Sequence, residues 1–395
     1  MIIFHLCKEF MKTLFSASRY GIMSEELGGV QTSQPTRGKQ TKRGFTMYHV
    51  SIIMPVYNVS EHLPRAIESA LNQKEVSLEL ILVNDGSTDQ SGEICDAYAK
   101  EEPLLIKVIH QENQGSGPAR QAGLKEASGE YIYFADPDDY FDHTLLKDNI
   151  KHAKKRDAEV VMFGFKQEDS NGDNQQINLP NLPQLESRED FRMHFRNVYH
   201  FYPYALWNKL YKKDFLMKNG ITFGNQKQGQ DALFNIEVYK HLSSVAVNRH
   251  AYYHYVTHEG SAINRYRQDR MDMELNIARS FQKMIKSWGE TDTFTDLIAE
   301  EYFNVLYQET VNLVHPACPL STKEKAERLA YLWETQAKVW VLEHKKEENN
   351  PFRKALLNAY KGNDFRRALF LMSNRIKVAK QYSKTFNSFK NFFKN

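Results

Sequence analysis

Between Tyr48 and Phe165 five short apolar runs alternate with four amphipathic segments, and no other feature constrains the fold as tightly. Strand-length runs separated by helical crossovers are the pattern of a parallel sheet covered on both faces. "YHVSIIMPVYN" reads as the first strand. It leads into "SEHLPRAIESALNQ", where Ser60 can cap, Pro64 is tolerated in the first turn, and Leu63, Ile67, Ala70 and Leu71 share one helical face. "LELILVND", "LLIKVIHQ", "EYIYFAD" and "AEVVMFGF" supply the other strands. The helices between them fall around Ile94 to Ala99, in "SGPARQAGLKEA" and in "HTLLKDNIKHAKKR". This element order is that of a nucleotide-binding α/β domain.

Beyond Phe165 the texture changes. Asn171-Gly172 predicts a hairpin or exposed loop, and the aromatic stretch from His200 to Phe223 has no clear period. A helix over "QDALFNIEVYKHL" and a strand over "VAVNRHAYYHYVTH" follow. From about Arg267 the period is helical, which predicts a helical region over 266–395, and "STKEKAERLAYLWETQAKVWVLEHK" reads as one of its helices. The tail after Asp364 contains no acid and sets Phe365, Leu369, Met372, Ile376, Tyr382, Phe386, Phe389 and Phe393 near helical spacing. Two readings stay open for it: a basic amphipathic helix in an anionic membrane surface, and a helix packed on the bundle with a basic outer face.

A formal charge of +3 from 52 basic and 49 acidic residues excludes nucleic-acid binding by bulk charge. The three cysteines lie far apart, which argues against a disulfide framework or a structural zinc site and fits a cytoplasmic setting. In the apolar N-terminal stretch, Lys8, Glu9 and Lys12 interrupt what a signal peptide would keep continuous. Residues 1–46 read as a disordered extension, with Met47 a candidate initiator.

Polar residues collect where strands end: Pro55-Val56-Tyr57-Asn58 after the first, Asn84-Asp85-Gly86-Ser87-Thr88-Asp89 after the second, and Asp136-Pro137-Asp138-Asp139 after the fourth. Ligands of parallel sheets bind at that edge. Any one of these segments alone is ordinary turn chemistry; three on neighbouring strands make that reading much weaker. In "NQGSGPARQAG", Arg120 lies one turn inside a helix aimed at this edge, suited to a pyrophosphate or to bracing the aspartates.

As an ordered set, "VSIIMPVYN", "LILVNDGSTD", "NQGSGPARQAGLKEASGEYIYFADPDD", "LWNKLYKKDFL", "GQDALFN" and "YHYVTHEGSA" resemble the family 2 glycosyltransferases, inverting enzymes of the GT-A fold that use nucleotide sugars. The resemblance implies a GT-A domain over 47–265. It also implies that Pro55, Tyr57 and Asn58 line the nucleotide pocket, that Asp85 contacts the base, and that Asp136 serves the ribose. Asp138 then ligates a divalent metal (Mn2+ or Mg2+), joined by His258, while Asp139 is the weakest of the three aspartates and can simply cap the next segment. Asp231 is the implied general base, with Gln230 standing where the family has Glu, and Asn84 standing where it has Asp. Trp207 and Lys209 are expected near the acceptor. The implied partners are a nucleotide-sugar donor and a glycan, polyol-phosphate polymer or lipid-linked acceptor; a lipid-linked acceptor favours the membrane reading of the tail, and the charge balance gives no nucleic acid as partner. Two alternatives remain: a nucleotidyltransferase, which would want a basic Gly-rich loop after strand one that "MPVYNVSEHL" lacks, and an inactive binding scaffold.

Overall fold

The computed structural model describes residues 49–169, 175–224, 229–257, 265–346 and 348–392. The readings made for residues 1–46, for Met47 and for His258 lie outside them. Described residues 49–257 and 265–392 fall into separate compact units.

The first unit is built on a nine-stranded sheet in the order β3-β2-β1-β4-β8-β6-β9-β5, with β7 beside β6. β1 (Val50–Val56), β2 (Leu78–Asp85), β3 (Ile106–Gln111) and β4 (Tyr131–Phe134) are parallel, as their apolar runs predict. β1 and β2 are buried along their whole length, which explains why neither shows a polar alternation. Helix α1 (Leu63–Leu71) carries Pro64 in its first turn. Ser60 does not cap it: the N-cap is His62, and the Ser60 amide donates instead to Asp89. α2 (Ser91–Glu101) lies along β2 and β3, and α3 (Ser116–Glu126) packs on β1 and β2. Gly123 permits that approach, since a Cβ there would stand 2.5 Å from Cγ2 of Ile53.

The sheet is not parallel throughout. β8 (Lys209–Lys212) inserts antiparallel between β4 and β6 (Val160–Asp169), so the run "AEVVMFGF" never meets β4. A four-residue strand with its first three residues buried carries no period in the sequence, and this one was hidden in the aromatic stretch. The expected hairpin is present as β6 and β7 (Gln176–Asn178). β9 (Val245–Thr257) runs parallel to β6 and antiparallel to the short β5 (Tyr140–Phe141). Because β8 is reversed, the loop that precedes it arrives at the same edge as the end of β4. α4 (Leu145–Arg156), α5 (Arg188–Met193), α6 (Phe195–Tyr199), α7 (Lys213–Lys218) and α8 (Gln230–His241) complete the unit.

The second unit is helical: α9 (Arg270–Ser287), α10 (Thr295–Leu313), α11 (Thr322–Leu332), α12 (Lys338–His344), α13 (Pro351–Lys361) and α14 (Phe365–Phe392). Ser321 and Glu324 close a capping box on α11. The expected single helix from Ser321 onward is interrupted by a π turn, Trp333–Ala337, that buries Trp333 and Ala337. In α14, Phe365, Ala368, Leu369 and Met372 are buried, so its first turns follow the packed reading of the tail. Among the described residues no helix is long and apolar enough to cross a membrane.

Candidate active site

The loops after β1 and β2 are stitched into one lip. The amide of Asn58 donates to Ser87 Oγ (3.1 Å), Thr88 N donates to Asn58 Oδ1 (2.8 Å), Val59 N to Ser91 Oγ (3.0 Å) and Ser60 N to Asp89 Oδ2 (3.0 Å). Burial works against the Asp89 carboxylate, but its hydrogen bonds from Ser91 and Ser60 prevail and hold it at about 2. Asn58 thus spends its carbonyl on the lip, and Pro55 is buried inside β1. Tyr57 is the residue of this segment that offers a large aromatic surface, 45% exposed.

Asp85 ends β2 and is buried. Its oxygens accept from Gln111 Nε2 (2.7 Å), Gln114 N (2.9 Å) and Gly115 N (2.7 Å), which fastens the start of α3 to the strand end. A carboxylate has about four acceptor positions, so one further donor can be met. Asn84 turns away, with Oδ1 accepting from Ser87 N and Nδ2 meeting the His110 ring.

The centre of the site is Arg120. Its Nη2 donates to Asp136 Oδ1 (2.8 Å) and its Nη1 to Asp231 Oδ1 (2.7 Å), with 5% of the side chain exposed. Desolvation pulls against its charge, yet Asp231 and Asp136 outweigh this and raise its pKa. Two aspartates 95 positions apart in the chain are joined through one guanidinium. Enclosure by protein pushes the Asp231 carboxyl up, Arg120 pulls it back, and Asp136 pushes it further. Its side chain keeps 43% of its surface open, so solvent screens the shift on that side.

Asp231 sits in the first turn of α8, whose buried face carries Phe234 against Phe134 (ring centroids 5.5 Å apart) and Tyr211 (5.6 Å). Gln230 is buried where α8 meets α3: a Cβ on Gly117 would stand 2.4 Å from its Cγ. Side-chain packing therefore holds the amino ends of these two helices together, and Arg120 and Asp231 meet one turn away.

Asp139 is a structural residue. It does not cap a helix; Oδ2 accepts from Tyr253 Oη (2.7 Å) and Oδ1 from Val256 N (2.7 Å). Burial, then Asp138 and Asp136, push its carboxyl well above the usual range. Arg65 donates to the Asp138 carbonyl (3.2 Å) and covers the Tyr140 ring, which fixes the far side of the aspartate loop. Trp207 stacks on Tyr253 (4.7 Å), and Lys209 is wholly buried. Arg65, Tyr253 and Asn235 escaped the sequence reading. For the first two the only signals were a basic residue on an amphipathic helix and an aromatic in an alternating strand.

A hard divalent cation takes oxygen ligands and keeps water and phosphate oxygens in its remaining positions. Asp139 spends both oxygens within the protein and Asp136 gives one to Arg120, so these two carboxylates are poorly placed to hold such an ion. Among the described residues no group of three or more His, Cys, Asp or Glu side chains is placed to hold a metal by itself.

A hydrogen-bonded lip on a parallel half-sheet, an aspartate loop beside it and a further carboxylate from α8 fit the GT-A architecture. The Staphylococcus aureus protein TarS (residues 1–349, in complex with UDP) superposes with a TM-score of 0.56 at 20% identity over 83% of this chain and 91% of that one. A sequence model of the family Glycosyl transferase family 2 matches residues 51–218, and this segment is a domain of that family. Among curated proteins of Bacillus subtilis, the chain is 32% identical over 203 residues to the uncharacterized glycosyltransferase EpsJ, covering 50% of this chain and 57% of that protein. It is 30% identical over 233 residues to the putative glycosyltransferase EpsH, covering 58% and 66%. TarS, named a poly(ribitol-phosphate) beta-N-acetylglucosaminyltransferase, is 27% identical over 214 residues, 53% of this chain and 36% of that protein.

Proposed function

We propose that this chain transfers a sugar, with inversion, from a nucleoside-diphosphate sugar to a hydroxyl of a cell-surface polysaccharide, teichoic acid or glycoprotein glycan. The observation that carries the reading is the Arg120 bridge, which holds a carboxylate from α8 beside the aspartate loop at the ligand-binding edge. Tyr57 offers the base a stacking surface, and Asp85 has acceptor capacity for a base N–H. Asp136 faces the ribose, and Asp138 would hold a divalent metal. Such a metal, when bound, neutralises charge on a departing diphosphate.

Asp231 accepts the proton of the acceptor hydroxyl as that oxygen attacks the anomeric carbon from the face opposite the leaving group. Its raised proton affinity brings the carboxylate nearer to the operating pH, where a base is most effective. Arg120 keeps it anionic and aimed, and being enclosed it is not itself in line with the substrate. The likeness to TarS, a poly(ribitol-phosphate) beta-N-acetylglucosaminyltransferase, supports a polyol-phosphate polymer as acceptor here.

Calorimetry with UDP tests the donor side. Binding is expected to require Mn2+ or Mg2+ and to be lost in Asp138→Ala; equal affinity in the presence of a chelator would remove the metal from the account.

A further inference from the structure

Four consecutive carbonyls, those of Tyr202, Pro203, Tyr204 and Ala205, are each taken by a side chain. Lys209 Nζ donates to Tyr202 O (3.2 Å) and Ala205 O (2.6 Å), Tyr239 Oη to Pro203 O, and Asn235 Nδ2 to Tyr204 O (3.1 Å). Lys209 completes its cage on Asn208 Oδ1 (2.9 Å). A wholly buried ammonium surrounded by neutral acceptors is costly, and desolvation lowers its pKa well below the ordinary lysine value. An aliphatic side chain would fill the space without that cost, but it would leave the Tyr202 and Ala205 carbonyls without this donor.

The loop so fixed is placed between the two halves of the site. Asn235 and Tyr239 follow Asp231 at intervals of four along α8, and Asn235 Nδ2 also donates to the Asp231 carbonyl (3.0 Å). On the other side Trp207 stacks on Tyr253, which donates to Asp139, and on Tyr255. Tyr202 holds a left-handed backbone (φ 44°), a strained conformation for an aromatic residue, and packs edge-on against Phe165. The antiparallel pairing of β8 with β4 brings the whole loop to the aspartate edge, on the half of the sheet away from the nucleotide lip.

We infer that Tyr202–Ala205 is the wall that positions a carbohydrate acceptor against Asp231, and that Lys209 is the positioning residue that fixes this wall. The inference rests on the proposed glycosyl transfer and deepens it: aromatic side chains at a rigid turn suit the apolar face of a sugar ring.

The test separates water from sugar as acceptor. The donor is the UDP-sugar that most raises the wild-type melting temperature; the probes are octyl β-glycosides of glucose, galactose and N-acetylglucosamine. Lys209→Met is expected to keep UDP affinity and donor hydrolysis within about twofold and to lower kcat/KM for the glycoside by about tenfold or more, through KM. Tyr202→Asn, which tolerates the left-handed backbone, should do the same and decides the matter if Lys209→Met does not fold. Hydrolysis and transfer falling together, or transfer unchanged in both variants, would overturn the inference while leaving glycosyl transfer standing. A wild-type chain that neither hydrolyses nor transfers would refute the glycosyl-transfer reading, and the loop's role with it.

Discussion

Arg120 is enclosed by the protein and bonded to carboxylates from two distant segments, so its value lies in where it holds them. Removing the guanidinium would leave two carboxylates without their shared cation and disturb both segments together, which makes Arg120 itself a poor position to probe. Gly117 is a better one. A methyl group there would meet Gln230 Cγ at 2.4 Å, and overpacking of that kind costs about 1–3 kcal/mol unless the helices separate. With α3 fastened to Asp85 through the Gln114 and Gly115 amides, it is α8 that yields, which moves Asp231 relative to Arg120 and leaves Asp85 in place. Gly117→Ala is therefore expected to keep UDP affinity while turnover drops by roughly 10²-fold, the usual consequence of a displaced catalytic group. Parallel loss of affinity and turnover would show that α3 serves donor binding instead.

At the scale of elements, the legible part of the molecule was the part with a period. The strands β1 to β4 and the helices between them follow from buried apolar runs and i, i+4 spacing, and the edge they share placed the three polar termini. β8 was invisible because its short, buried sequence has neither period nor bounding turn signals. The polar termini could be placed on the edge, but their division of labour could not. Asn58 turns its side-chain oxygen to the Thr88 amide, and Asp139 turns its two oxygens to the Tyr253 hydroxyl and the Val256 amide. In the helical unit the π turn escaped for a similar reason, since the apolar spacing drifts by only one residue there. That unit contains an element-scale pH dependence. Burial raises the Glu309 carboxyl from 4.5 to about 7, against the pull of Arg328 on Oε1 and of Asn312. Between those values the native state binds more protons than the unfolded chain, so stability falls as pH rises through the window. Urea unfolding at pH 5 and pH 7.5 should show this loss, and Glu309→Gln should flatten it. A variant with the same slope as wild type would assign the dependence to other groups.

On the scale of the whole molecule, the family domain accounts for residues 51–218, and the helical unit and the tail lie outside it. The chain spans 57% of the length of EpsJ and 66% of that of EpsH. The first turns of α14 are packed, and the basic, acid-free sequence that continues it is the part proposed to meet an anionic membrane, as a lipid-linked acceptor would require. Cosedimentation with phosphatidylglycerol vesicles is expected to weaken with salt and to disappear when the chain is cut after Val378. Salt-insensitive binding, or none, would make α14 a bundle helix along its whole length.

The central claim is that Asp231, held by Arg120, is the base of an inverting transfer. Asp231→Asn keeps the size of the side chain and a hydrogen-bond acceptor for Arg120 while removing the proton acceptor. Calorimetry with the donor, paired with turnover measured on the acceptor, tests the claim most directly. The account predicts unchanged donor affinity with turnover reduced by roughly 10²- to 10⁴-fold; near-normal turnover in the variant would contradict it.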